Sequence, residues 1–424
     1  MKYVLYSLLA AAAVAYAALP LRADEPTKLG ERVSAAPAGI LEPTAPIPDT
    51  QDPTKPAAQA NRQADAQAHF WRDWKIVLSA EASTRFTDNT SQNDRQREDD
   101  FIGTFKPTVG LTYATPAMPE GDEFHVDYSP RGVGYLKHPG NDALDQFANL
   151  GLRHSWSRTQ LQLRHNVDLS SDSTIEQLSL GQHHAETSSL KLGYDATPKT
   201  SFYVMPWQKW MNMNTGFQVW NYGSDIGAAW HYTEKWDWVT DYHLGRITSS
   251  SGPLGWDNSW VVGAVWKASE RNELALRGGA QYVTLSEPKP VDLLRPRVNV
   301  QWMHQLTAKL QADLKADYIS ELSGFIADEL NTRLAFTGGL TYNLTPRIAL
   351  ELRGQGGWID QTSISTTKPN GGQLAYYTPT LAATYHIGTH TDLRLDYNYT
   401  KRTENALYEA YHANSAGISI THHF

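Results

Sequence analysis

From Trp71 to Phe424 apolar and polar residues alternate with a period of two, and this leaves few folds open. In "TQLQLRHNVDL" Leu161, Leu163, His165, Val167 and Leu169 share one face, and Gln160, Gln162, Arg164, Asn166 and Asp168 the other. "AKLQADLKADY", "RIALELRGQ" and "TDLRLDYNYT" repeat the pattern. Alternation this long is a strand signal rather than a helical one.

The punctuation narrows the choice further. Short turns recur: "TPAMPEGD" (Thr115–Asp122), "WSRT", "DATPKT", "YTEK", "KASERN", "MHQLT", "NLTPR" and "HIGTHT". Between them lie longer polar links, from "TDNTSQNDRQREDD" (Thr87–Asp100) to "ENALYEAYHA", with a short exception near Met211–Thr215. Short turns alternating with longer links are what an outer-membrane barrel requires, with short turns in the periplasm and longer loops outside. The fold class is therefore all-β: one transmembrane antiparallel up-and-down barrel. Counting between the marks gives about 18 strands of roughly ten to fourteen residues, with 16 as the runner-up. The segments Phe202–Asn212 and Phe217–Tyr232 are ambiguous in phase. The hairpins repeat in layout but not in sequence. A propeller would need a repeat of roughly forty to fifty residues, and none is present.

Composition agrees. Mean hydropathy is -0.48, yet the chain holds 14 Trp and 21 Tyr. A barrel reconciles the two by alternating a lipid face with a polar lumen. Cysteine is absent, which excludes disulfides and thiolate metal sites, and a net charge of -8 disfavours nucleic acid as a partner. Residues 1-23 have the layout of a cleaved signal peptide: Lys2, an apolar run, then small residues, with cleavage after Ala23 preferred over Ala17. Residues 24-70 are Pro/Ala-rich and read as a disordered periplasmic linker, and 71-424 as the barrel. The expected location is the outer membrane of a Gram-negative bacterium, with outer-membrane lipid and lipopolysaccharide as neighbours.

With the apolar face outward, the lumen-lining candidates are Asp127, Arg131, Arg153, Arg164, Asp168, Arg277, Arg295, Arg297, Asp313, Lys315, Glu351, Arg353, Arg394 and Asp396. Opposite charges on neighbouring strands would pair into wall-bracing ladders. Their near balance points to neutral or mixed cargo. Aromatic residues near strand ends, such as Trp156, Trp236, Trp266, Trp302, Tyr342 and Tyr385, read as an interfacial girdle.

No enzyme is expected. The pairs His183-His184 and His422-His423 point to opposite faces of their strands, and no His-Glu-x-x-His, nucleophile elbow or P-loop is present. No cofactor or metal is expected. The Asp/Asn-rich first loop carries oxygen ligands suited to calcium but lacks the EF-hand spacing, and reads as a solvated loop.

Four stretches, "LSAEASTRFTDNTSQ", "DDFIGTFKPTVGLTY", "DLRLDYNYTKRTEN" and "YHANSAGISITHHF", resemble the EpsL-like exopolysaccharide-associated outer-membrane β-barrels, the β-barrel porin type 2 family. The long Pro/Ala-rich leader departs from that pattern, as does His422. The resemblance implies a pore, or an accessory barrel, serving exopolysaccharide export, with periplasmic polysaccharide-export components as partners. The alternatives are a general or oligosaccharide uptake porin and a plugged structural or adhesive barrel. "NSAGISITHHF" reads as the closing strand, pairing with the first strand near "WKIVLSAEAS". Its terminal Phe424 resembles the aromatic signal read by the outer-membrane assembly machinery.

Overall fold

The computed structural model describes residues 74–424 apart from 91–93, 95–96, 115–122, 172–182, 214–217, 251–253, 270, 287–289, 323–328, 364–370 and 406–408. The expected signal peptide and linker lie outside the described residues. The strands are β1 (Trp74–Thr87), β2 (Asp100–Ala114), β3 (Glu123–Tyr135), β4 (Ala143–Ser155), β5 (Thr159–Ser170), β6 (His183–Thr197), β7 (Thr200–Met213), β8 (Gln218–Thr233), β9 (Trp236–Ser249), β10 (Gly255–Ser269), β11 (Asn272–Leu285), β12 (Val291–Gln305), β13 (Leu310–Leu322), β14 (Glu329–Thr345), β15 (Ile348–Ser363), β16 (Gly372–Ile387), β17 (Thr391–Arg402) and β18 (Tyr411–His423).

Each strand pairs antiparallel with the next, and β18 pairs with β1, so the 18-stranded sheet has no free side. Closure removes the edge that a sheet in lipid cannot leave open. The β1–β18 register runs Ser79↔His423 to Thr87↔Ser415, so pairing starts at Ser79 rather than at Trp74. The N–H of Phe424 donates to the Leu78 carbonyl at 2.9 Å, which extends the seam by one bond. Strands run from 12 residues in β5 to 17 in β14, longer at the upper end than the sequence spacing suggests. The excess lies at the long-link end, where the ladder continues past the apolar band.

Register fixes the faces. Ile76, Leu78, Val109, Val262, Leu276, Leu314, Leu352, Leu381 and Ile418 are exposed and lie on rows of one parity, the outer wall. Two aromatic belts bound this band. At the short-turn end lie Tyr194, Trp230, Trp236, Trp238, Tyr342 and Tyr385; at the long-link end lie Phe101, Trp220, Tyr222, Trp256, Trp358 and Tyr377. Amphipathic rings settle at the two interfaces, so the belts mark the bilayer. The protein is an outer-membrane β-barrel. The short turns face the periplasm and the long links face outward.

β7 and β8 explain the ambiguous phase. Their inward rows carry Met205, Met211, Met213 and Val219, all buried, so near the outer mouth both faces are apolar. Period-two contrast disappears where both sides are hydrophobic.

Candidate functional site: the barrel interior

All fourteen predicted lining residues lie on the parity opposite the apolar band. The register shows how they meet. On β3 and β4, Arg153 reaches Glu123 at 3.0 Å, Arg131 binds buried Asp145, and Asp127 accepts from Asn149 at 2.7 Å. On β5, Arg164 sits between Gly151 and Ser189, and Asp168 between Phe147 and Ala185. On β9–β12, Arg277 lies 3.3 Å from Asp241, Arg297 donates to Ser259, and Arg295 stands opposite Gln281. On β13, Lys315 is 3.6 Å from Asp317, and Asp313 pairs with Gly339 of β14. On β15 and β17, Glu351 binds both Arg353 and Arg394, the latter at 2.8 Å. Asp396 takes Arg85 at 2.8 Å.

Glycines set two of these contacts. Arg85 and Asp396 stand on β1 and β17, with β18 between them, and they meet because Gly417 leaves the row empty. A Cβ there would fall 2.9 Å from Asp396 Oδ1 and 3.4 Å from Arg85 Nε. Likewise Tyr203 lies flat across Gly227 to donate to Asp241 at 2.5 Å, and a Cβ at Gly227 would fall 2.2 Å from the Tyr203 ring.

Sequence reading missed a polar cluster beside this site. His243 Nδ1 lies 2.6 Å from Asp225 and its Nε2 3.8 Å from Asp257, while Trp207 stacks on its ring at 5.1 Å. Asp225 was hidden in the phase-ambiguous β8. No group of His, Asp and Glu among the described residues has the geometry to hold a metal ion.

The interior differs from end to end. Toward the outer mouth the inward rows are buried: Asp100, Asp145, Gln281 and Leu374 are fully covered, and Gln361 and Arg402 nearly so. Asp100 accepts the backbone N–H groups of Lys137 (2.9 Å) and His138 (3.2 Å), and Asp145 accepts the backbone N–H (2.8 Å) and the hydroxyl (2.9 Å) of Ser171, so these carboxylates pin the outer links. An apolar collar of Met211, Met213, Val219, Ile247, Val283 and Leu285 belongs to the same tier. Farther toward the periplasm, Arg164 and Asn166 on β5 are exposed, while Ala229, Val239, Val265 and Ala275 on β8–β11 form a second buried apolar cluster.

The first loop is not merely solvated. Asp88 accepts the backbone N–H (2.7 Å) and Nδ2 (2.8 Å) of Asn414 and the guanidinium of Arg97 (2.7 Å), while Asp94 holds His412 at 2.9 Å. Burial raises the Asp88 pKa, but the bonds from Asn414 and the charge of Arg97 outweigh it and hold the carboxyl below its ordinary value. The loop thus clasps the outer end of the β1–β18 seam.

No family model matches the chain, and no curated protein matches it. Among solved structures it is similar to the outer membrane channel DcaP of Acinetobacter baumannii, with 14% identity, 83% of this chain, 97% of that chain and a TM-score of 0.45. It is also similar to OpdO of Pseudomonas aeruginosa (11%, 84%, 99%, 0.48) and to OccK2 (OpdF) of the same organism in complex with glucuronate (9%, 83%, 99%, 0.46). Both identity and superposition are low.

Proposed function

We propose that the barrel is a water-filled channel that lets small hydrophilic solutes, oligosaccharides among them, cross the outer membrane. One observation carries this reading. Arg164 and Asn166 are exposed, and Arg353 keeps 44% of its side-chain surface, although all three face the inside of a closed barrel. Charged groups stay uncovered in an enclosed space only where water reaches them. The fourteen inward charges line that path, and their cross-strand pairing keeps the wall rigid while leaving mixed polarity for the solute. Purified protein in a planar bilayer is expected to give discrete conductance steps; silent insertions would overturn the reading in favour of a plugged structural barrel.

A second reading is export of an exopolysaccharide, as the EpsL-like resemblance implies. Its support is the exposed polar side chains of Arg164 and Asn166 on the inner wall, which offer hydrogen bonds to a passing hydrophilic chain. Deletion should then reduce surface glycan while leaving nutrient uptake unchanged. The reverse result would leave uptake as the function.

A further inference from the structure

The periplasmic turns do repeat in sequence, contrary to what their strands suggest. Five share a hydroxyl residue, any residue, then a cation: Thr197-Pro198-Lys199, Thr233-Glu234-Lys235, Ser269-Glu270-Arg271, Thr307-Ala308-Lys309 and Thr345-Pro346-Arg347. In each, the N–H of the cation donates to the hydroxyl two residues back, at 3.1–3.2 Å. A sixth turn, Trp156-Ser157-Arg158, ends on the same kind of residue.

The cations also share a direction. The carbonyls of Arg158, Lys199, Lys235, Arg271, Lys309 and Arg347 each accept an N–H, at 2.7–2.8 Å, from the strand beyond the one that the cation opens (β6, β8, β10, β12, β14 and β16). Each bond adds one rung to the ladder, so each cation continues its strand's inward row. Lys235, for example, stands opposite Lys267. All six are exposed, and none forms an ion pair among the described residues, although Lys309 Nζ donates to the Leu344 carbonyl at 3.2 Å. Nearby inward acids do not cancel them. Of the described inward acids within three residues of the short turns, Asp237 is held by Lys267 (2.9 Å) and His231 (2.6 Å), Glu123 by Arg153 (3.0 Å) and Asp392 by His386 (2.6 Å), which leaves Asp195 and Glu273 against six cations. Glu234 falls on the outward parity. The ring stands in a chain of net charge -8, so it is not an effect of composition.

We propose that this ring captures an anionic saccharide, one bearing carboxylates or phosphates, at the periplasmic mouth; this rests on the channel reading above. Successive cations stand two strands apart, about 10 Å along the rim. They belong to the lumen row rather than the lipid face, so a ligand touching several of them must lie inside the mouth. A linear polyanion can do this, whereas a folded acidic partner would meet the rim from below. Fixed charge of one sign around a low-dielectric opening speeds capture, and salt weakens it.

The test uses the full-length protein and a variant with Lys199→Gln, Lys235→Gln, Arg271→Gln and Arg347→Gln. These side chains are exposed, and glutamine keeps every backbone bond, so folding is preserved. Oligogalacturonate and a maltodextrin of equal length are added to each side of a planar bilayer. Orientation is read by labelling Leu136→Cys, an exposed external position in a chain without cysteine. Oligogalacturonate from the short-turn side should block current at a rate that the variant lowers about tenfold and that salt suppresses. Maltodextrin should not distinguish the two proteins. Equal block rates, or equal rates from both sides, would overturn the ring. Discrimination of polyglutamate but not of oligogalacturonate would overturn the saccharide in favour of an acidic protein partner. If no current flows at all, anisotropy with labelled oligogalacturonate decides separately. Binding that the variant weakens keeps the ring although the channel reading falls; binding that it does not weaken rejects the ring as well.

Discussion

At the residue scale, the inner wall depends on where a side chain is missing. Tyr203 reaches Asp241 only because Gly227 has no Cβ in its way. Gly227→Ala should therefore destabilise the folded barrel by about 1–3 kcal/mol, the usual cost of overpacking. The penalty should shrink in a Tyr203→Ala background, because the clash with the ring is then absent and only the movable Asp241 Oδ1, 2.5 Å from the added Cβ, must shift. Urea titration of reconstituted protein checks both; an unchanged penalty in the double variant would refute the account. Asp88 gives the pH prediction. Its folded pKa lies below its ordinary value of 3.8, so its contribution is complete above the unfolded value and is lost as pH falls through the folded one. Asp88→Asn should loosen the seam clasp at neutral pH and match the wild type in strong acid. Hydrogen exchange of the Asn414 amide across that range reads the difference.

At the scale of elements, parity decides the cost of a charge. Val262 faces outward on β10 and is 52% exposed, whereas its neighbour Val261 faces the interior. Val262→Arg should cost about 2–4 kcal/mol in folding into liposomes, the depth-dependent penalty of a mid-bilayer cation. Val261→Arg should cost much less, since water reaches the lumen. Equal costs would contradict the assignment of faces. Strand parity was legible in the sequence from "TQLQLRHNVDL" and its relatives because alternation is a local property. It failed on β7 and β8, where the collar makes the inward row as apolar as the outward one. The turn cations were visible as letters but not as a ring, because only the register carries a turn residue onto the lumen row.

At the scale of the whole molecule, closure is the stabilising event, and it requires the last strand to meet the first. Phe424 lies on the outward row, is 76% exposed and packs edge-on against His422 at 4.6 Å. We propose it as the assembly signal. Its deletion should lower the amount of heat-modifiable barrel at the cell surface several-fold, while Thr421→Ala, an inward change on the same strand, should leave it unaltered. Equal surface levels of the two variants would count against that role.

The sequence by itself determined the all-β barrel class and which connections are short and which long, and it brought the strand number down to 18 or 16. All of these follow from a period of two and from the lengths of the connections, which are read along the chain. Only the tertiary structure decided which charges meet. Arg85 and Asp396 lie 311 residues apart and touch because closure brings β1 beside β18 and Gly417 leaves a gap between them. The buried outer tier, the clasp on Asn414 and the periplasmic cation ring have the same origin. Each depends on register between strands, and register is set by packing across the sheet rather than by any local run of residues.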